Sequence, residues 1–207
     1  MFKSLKKPIR CFKRTKRPKR KILQKAYARP KCRRMYMKYR QHEFVMNDES
    51  YFTLSNSTLT GNNTYYSSDR RLTPADVSYW EKAKFEEKLL LWIVVSSKGI
   101  GQVYIAPSKQ AINQHVYLKE CIKKRLVPFI NKYHSGDQYV FWPDLASSHY
   151  ANSVQDWLGE QSISFLAKKD NPANLPEVRP IEDLFAIIKR DVYLNGWSAN
   201  NIKQLDQ

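Results

Sequence analysis

The chain has 207 residues, 42% of them hydrophobic, which suits one domain with its own core. Three cysteines without a C-x-x-C pair argue against a zinc ribbon or a disulfide framework. No run approaches the ~18 apolar residues of a membrane span, and no apolar stretch follows the charged N-terminus as a secretory leader requires, so the composition points away from membranes and toward a reducing, intracellular compartment.

The net charge of +17 is unevenly placed. Residues 1–40 hold 18 Lys and Arg and no acid; the other 167 residues hold 18 basic and 19 acidic side chains. A basic block of this density repels itself and calls for an anionic partner, for which the phosphate backbone of double-stranded DNA is the first candidate. Tyrosines and phenylalanines interleave the basic residues and suit stacking on bases or sugars. The densest stretch, with Lys13, Arg14, Lys16, Arg17, Lys19, Arg20 and Lys21, also reads as a nuclear-localisation patch, which makes the nucleus the expected location. A solubilising tail, or affinity for RNA or acidic membrane, is the competing reading. The expected division is a basic, DNA-contacting arm over 1–40 and a folded domain over 41–207.

Within the arm, residues 23–40 suit a helix broken at Pro30. Residues 43–54 (EFVMNDESYFTL) read as a strand with Asp48 and Glu49 near a bulge or bend. Residues 55–80 are polar and loop-like. Residues 88–96 (KLLLWIVVS) form a buried strand by apolar continuity, and Ser97-Lys98-Gly99 turns into a second strand over 101–106. A helix capped by Ser108 follows, with Ile112, Val116, Cys121, Ile122 and Leu126 at helical spacing, interrupted at Pro128. Then come a strand over 138–141, a helix over 149–159 facing inward with Val154, Trp157 and Leu158, and a strand over 163–167. The last helix carries Ile181, Leu184, Phe185 and Ile188 at i, i+3, i+4 and i+7. Three antiparallel strands followed by strand–helix units predict an α/β fold, a mixed sheet flanked by helices in the order of ribonuclease-H-like domains.

Three acids sit beside apolar runs. Asp48 interrupts a strand, Asp144 follows one at its carboxyl end, and Glu182 opens the final helix. Carboxylates forced near a core are costly unless paired or metal-bound, and three converging ones suit hard divalent cations. Each also has a plain structural reading: Asp48 as a turn residue, Asp144 as a helix cap, Glu182 as a partner of the helix dipole.

Three blocks in order resemble the catalytic domain of Tc/mariner superfamily transposases. They are Val45-Met46-Asn47-Asp48-Glu49-Ser50-Tyr51-Phe52, then Phe141-Trp142-Pro143-Asp144-Leu145-Ala146-Ser147-Ser148-His149, then Arg179-Pro180-Ile181-Glu182-Asp183-Leu184-Phe185. Between the first and second, Leu91-Trp92-Ile93-Val94-Val95-Ser96-Ser97-Lys98-Gly99 is similar to the family's second strand and its glycine turn. The resemblance implies a ribonuclease-H-like fold and a DDE transposase that cleaves transposon ends and joins them to target DNA. It implies Asp48, Asp144 and Glu182 as catalytic ligands of two Mg²⁺ or Mn²⁺ ions, with Asp48 shared between the ions. It further implies His149 as a DNA-phosphate contact, Trp92 and Trp142 as core, and a homodimer on paired ends. The sequence departs from the family pattern in several places. Asp144 and Glu182 are separated by 37 residues, more than the commonest spacing, and Leu145 follows Asp144 where Asn is usual. Glu177 is the competing third acid. The chain starts at what resembles the linker after the family's paired helix-turn-helix units, so an N-terminally truncated copy is expected. A catalytically inactive, truncated or domesticated remnant that only binds DNA is the alternative reading.

Overall fold

A computed structural model describes residues 10–13, 22–54, 64–69, 71–74, 87–107, 111–173 and 175–207. Strand β1 (Arg10–Lys13) pairs antiparallel with β3 (Thr64–Ser67) as a separate two-stranded ribbon. That pairing was not expected from the sequence. Its partners lie far apart in the chain, and short polar strands carry no local sign of each other. Ser108 and most of 55–80 lie outside the described residues.

The main sheet is built on β2 (Glu43–Thr53), which pairs antiparallel with β4 (Lys88–Ser96) and parallel with β7 (Tyr139–Trp142). Strands β5 (Gly99–Ile100) and β6 (Tyr104–Ala106) both pair back onto β4, completing the mixed sheet. The β2–β4 register runs unbroken from Met46↔Val95 to Thr53↔Lys88. Asp48 and Glu49 therefore sit in regular ladder, not at a bulge. The irregularity lies on the other side of β4, where Ser96↔Gly99 gives way to Leu90↔Ala106, a slip of one residue that divides the expected 101–106 strand. Gly101 sits at this slip. A Cβ there would lie 2.4 Å from Val94 Cγ1 and 3.1 Å from Phe129 Cδ2, so only glycine fits.

Helix α1 (Ile22–Lys38) runs through Pro30 without a break, contrary to the sequence reading. Ala28, Cys32 and Met35, one turn apart on one face, are buried against Met46, Val140 and Trp142. That packing holds the helix across the missing Pro30 hydrogen bond. Helix α2 covers 114–133 as three joined pieces: Gln114–Val116, a π-helical stretch Tyr117–Leu126, and Val127–Tyr133. It is capped by Asn113, whose side chain accepts from the His115 and Val116 amides at 3.0 Å. Pro128 lies inside it. Val127 N–H still bonds to Ile122 O, five residues back, so the widened turn relieves the clash that a proline ring makes in tight α-geometry.

Helices α3 (Asn152–Glu160) and α4 (Pro180–Val192) follow, then a short α5 (Ile202–Leu205). Of the inward residues expected on α3, Val154 and Leu158 are buried, and Trp157 is half-buried under the Lys123 ammonium. His149 lies in the turn before α3. The strand expected over 163–167 reduces to one bridge, Phe141↔Phe165, held by Phe141 N–H to Ser164 O and Leu166 N–H to Phe141 O. The sheet has a core on each face. Helix α2 covers Val45, Trp92 and Val94, while α1 and α4 cover Met46, Phe52 and Ile93. At the far end of β4, buried His134 bonds Ser96 Oγ (2.8 Å) and Asp137 (3.0 Å), tying the β4–β5 turn to the loop before β7.

Candidate active site

Alternation along β2 decides what each side chain meets. Val45, Asn47 and Glu49 face α2; Met46, Asp48 and Phe52 face α1 and α4. Strand β7 pairs with β2 only as far as Met46↔Trp142, then leaves as Pro143-Asp144. Asp48 stands two residues past that last pair, beside the gap the departing strand opens. Glu182 lies in the first turn of α4, next to Ile181, which is fully buried under β2 and fixes how the turn sits.

Asp48 feels the charges of the other two acids. Burial pushes the Asp48 carboxyl up to about 6; Arg179 and the Glu49 amide oppose the rise, and Asp144 and Glu182 add to it. Its Oδ1 accepts from Glu49 N–H at 2.8 Å. Asp144 is also pushed up by burial, but its contact with His149, the Ala146 amide (3.0 Å) and Arg179 outweigh this and hold its carboxyl below the usual range.

His149 is 2% exposed. Its Nδ1 contacts Asp144 Oδ1, its Nε2 lies 3.0 Å from Glu49 Oε1, and its ring stacks on Tyr117 at 3.9 Å between centroids. Burial alone would lower the imidazole pKa. The two carboxylates win and raise it to about 9, so the ring is an imidazolium at neutral pH. This corrects the expected phosphate contact: both ring nitrogens face carboxylates, and the ring does not reach the surface.

Arg179, one residue before α4, donates from Nη2 to Asn47 O at 2.7 Å and lies 5.6 Å over the Trp142 ring. It thus touches the neighbours of both aspartates. Behind Asp144, buried Asn171 accepts from Trp142 Nε1 and donates to Pro143 O and the Tyr150 hydroxyl, each at 2.8 Å. Asp48 and Glu182 open into a cleft of about 560 Å³ that continues along α4 past Phe185 to Lys189 and Asn195.

Among the described residues, no three His, Cys, Asp or Glu side chains lie close enough together to hold one ion. The donor set nevertheless fits a hard divalent cation. It is made of carboxylates, and Asp48 is raised by burial first, with smaller additions from Asp144 and Glu182, all of which a bound cation would offset. His149, engaged on both nitrogens, is not a ligand. Glu177 is excluded by placement: it lies in the turn Pro176–Val178, and its charge acts on Cys32 of α1, whereas Glu182 acts on Asp48. Lys13 ends β1; Arg14, Lys16, Arg17, Lys19, Arg20 and Lys21 lie outside the described residues. Sequence reasoning missed Arg179, Asn171 and the Glu49–His149 pair. Arg179, Glu49 and His149 belong to the three blocks, but nothing in the sequence told their contacts, and Asn171 lies outside the blocks.

This topology, with its acids where β2 and β7 part, defines a ribonuclease-H-like domain. Within that class the chain is similar to the catalytic domain of Tc1/mariner transposases. No family model matches the chain. Over 119 residues, 58% of the chain and 34% of the relative, it is 27% identical to the Tc3 transposase of Caenorhabditis elegans. The Mos1 mariner paired-end complex with Mn superposes with a TM-score of 0.69 at 18% identity, over 94% of this chain and 57% of that one. The isolated catalytic domain of Mos1 transposase gives 0.61 at 16% identity, over 88% and 78%. The chain spans about a third of the Tc3 relative and just over half of the full Mos1 chain. No helix among the described residues is long and apolar enough to cross a membrane.

Proposed function

We propose that this chain is the catalytic part of a DDE DNA transposase, which cleaves phosphodiesters at transposon ends and joins the freed 3′-hydroxyl to target DNA. The observation that carries this reading is that Asp48, from the first of the three blocks, is buried beside the cleft that Glu182 lines and feels the charges of Asp144 and Glu182 from the other two. The structural likeness to mariner transposases supports it.

In this reading Asp48, Asp144 and Glu182 would be the catalytic ligands that hold two Mg²⁺ or Mn²⁺ ions. When bound, such ions supply an activated water and charge stabilisation of the leaving oxygen. His149 is a positioning residue: it keeps Asp144 ionised and fixes one of its oxygens. Arg179 holds the Asp48 strand against the start of α4. The basic arm, Lys13 to Lys21, holds double-stranded DNA by its backbone without reading bases. A homodimer on paired ends, working in the nucleus, completes the proposal.

The test is nicking of supercoiled plasmid by the purified chain in Mg²⁺ and in Mn²⁺, beside Asp144→Ala. Metal-dependent nicking that is lost in a folded Asp144→Ala protein supports the reading. DNA binding by both proteins without nicking by either supports instead a non-catalytic, DNA-binding remnant.

A further inference from the structure

The cleft that begins at Asp48 and Glu182 does not end with the acids. Helix α4 presents Glu182, then Phe185 and Ala186, then Lys189 at i, i+3, i+4 and i+7, all lining it. Seven residues of helix rise about 10 Å, roughly the axial length of three nucleotides of one strand. The Lys189 stem lies along Phe52, with its ammonium 5.3 Å from the ring centroid. Among the described residues no carboxylate is in ion-pair contact with it, whereas neighbouring Arg190 is paired to Asp191 at 2.8 Å. At the cleft's end Asn195 adopts φ 55°, ψ 27°, a left-handed conformation uncommon outside glycine. That turn brings an exposed side-chain amide to the rim.

We propose that the Lys189 end of this cleft is a subsite for a backbone phosphate of the strand being cleaved, with Lys189 as its cation and Asn195 as a rim donor. The inference rests on the transposase reading for the neighbouring acids. The layout is carboxylates at one end for cations and the reacting phosphodiester, then an ammonium with no ion-pair contact among the described residues, about 10 Å along the same helix face, for the flanking phosphate. Contact is to backbone only, so Lys189 contributes affinity and strand placement without base preference.

The test is fluorescence anisotropy of a short labelled duplex with the full chain across a salt series in Mg²⁺, together with plasmid nicking. Lys189→Gln is expected to lower the slope of log affinity against log salt by about one and to weaken binding roughly two- to fivefold on every sequence. Lys189→Arg keeps both. Asn195→Asp, on an exposed turn, weakens binding by adding a charge that repels phosphate, and it decides the matter if Lys189→Gln does not fold. Wild-type slope and affinity in both Lys189→Gln and Asn195→Asp, with the parent chain still nicking plasmid, overturns the subsite and leaves the transposase reading standing. The expected slope loss in a chain that nicks in neither metal upholds the phosphate site and removes the catalytic reading.

Discussion

Replacing His149 by Gln removes the imidazolium that contacts both Asp144 and Glu49 and leaves most of the buried volume filled. The imidazole is fully buried, and its pKa is raised from the ordinary 6.5 to about 9. At about 1.4 kcal/mol per pKa unit this corresponds to an upper bound of about 3 kcal/mol. The partner side chains are 22% and 30% exposed, and solvent screening brings the expected value nearer 2 kcal/mol, order-of-magnitude. Because the folded-state pKa lies above the free value, this stabilisation is fully present below about pH 6.5 and is lost as pH rises through about 9. Urea unfolding in EDTA at several pH values reads it directly. Wild type should exceed His149→Gln by about 2 kcal/mol near pH 6, and the gap should close above pH 9. Cys32 and Cys121, both raised by burial, titrate in both proteins and cancel in the difference. A gap of equal size at both ends of the range would mean that the imidazolium is not what the two carboxylates hold.

Two further substitutions test the frame around the acids. Arg179→Gln removes a charged hydrogen bond to Asn47 O and should cost about 1–2 kcal/mol. It should also move the Asp48 carboxyl above about 6, since Arg179 is the largest influence lowering it; a carboxyl-detected NMR titration checks the direction. Asn171→Ala strands Trp142 Nε1 and Pro143 O in a buried site and takes one of two hydrogen bonds from the Tyr150 hydroxyl, which keeps its bond to Leu166 O. It should cost about 3 kcal/mol, seen as a lower urea midpoint at unchanged m-value.

What the sequence made legible follows from periodicity. Residues 88–96 read as a strand because 89–95 within them are a continuous apolar run, and 181–188 as a helix because one apolar stripe recurs every turn. The acids Asp48, Asp144 and Glu182 could be singled out because each breaks or borders such a run. Helix breaks were misplaced at Pro30 and Pro128 because tertiary packing and a π-helical turn override a local rule, and neither is visible in a window of neighbours. The 163–167 strand shrank to one bridge because Ile163 and Leu166 need only be covered, not paired, to be buried. Residues that complete the site through single long-range contacts have no period at all. Arg179 reaches back to residue 47, and His149 to residue 49.

Those long-range contacts explain why two adjacent acids on β2 do different work. Asp48 faces the α4 side, where Glu182 and the cleft lie; Glu49 faces the α2 side, where His149 lies buried. His149 comes from the turn that follows Asp144, so it can hold Glu49 with one nitrogen and Asp144 with the other. The strand between them therefore ties the Asp144 loop down from behind while Asp48 meets it in front. A neutral residue at Glu49 would leave His149 one carboxylate partner, lowering its pKa and weakening its hold on Asp144. The pair Asp48-Glu49 is thus a division of labour set by strand alternation: one carboxylate is offered to the cleft, and the next anchors the imidazolium that positions its partner.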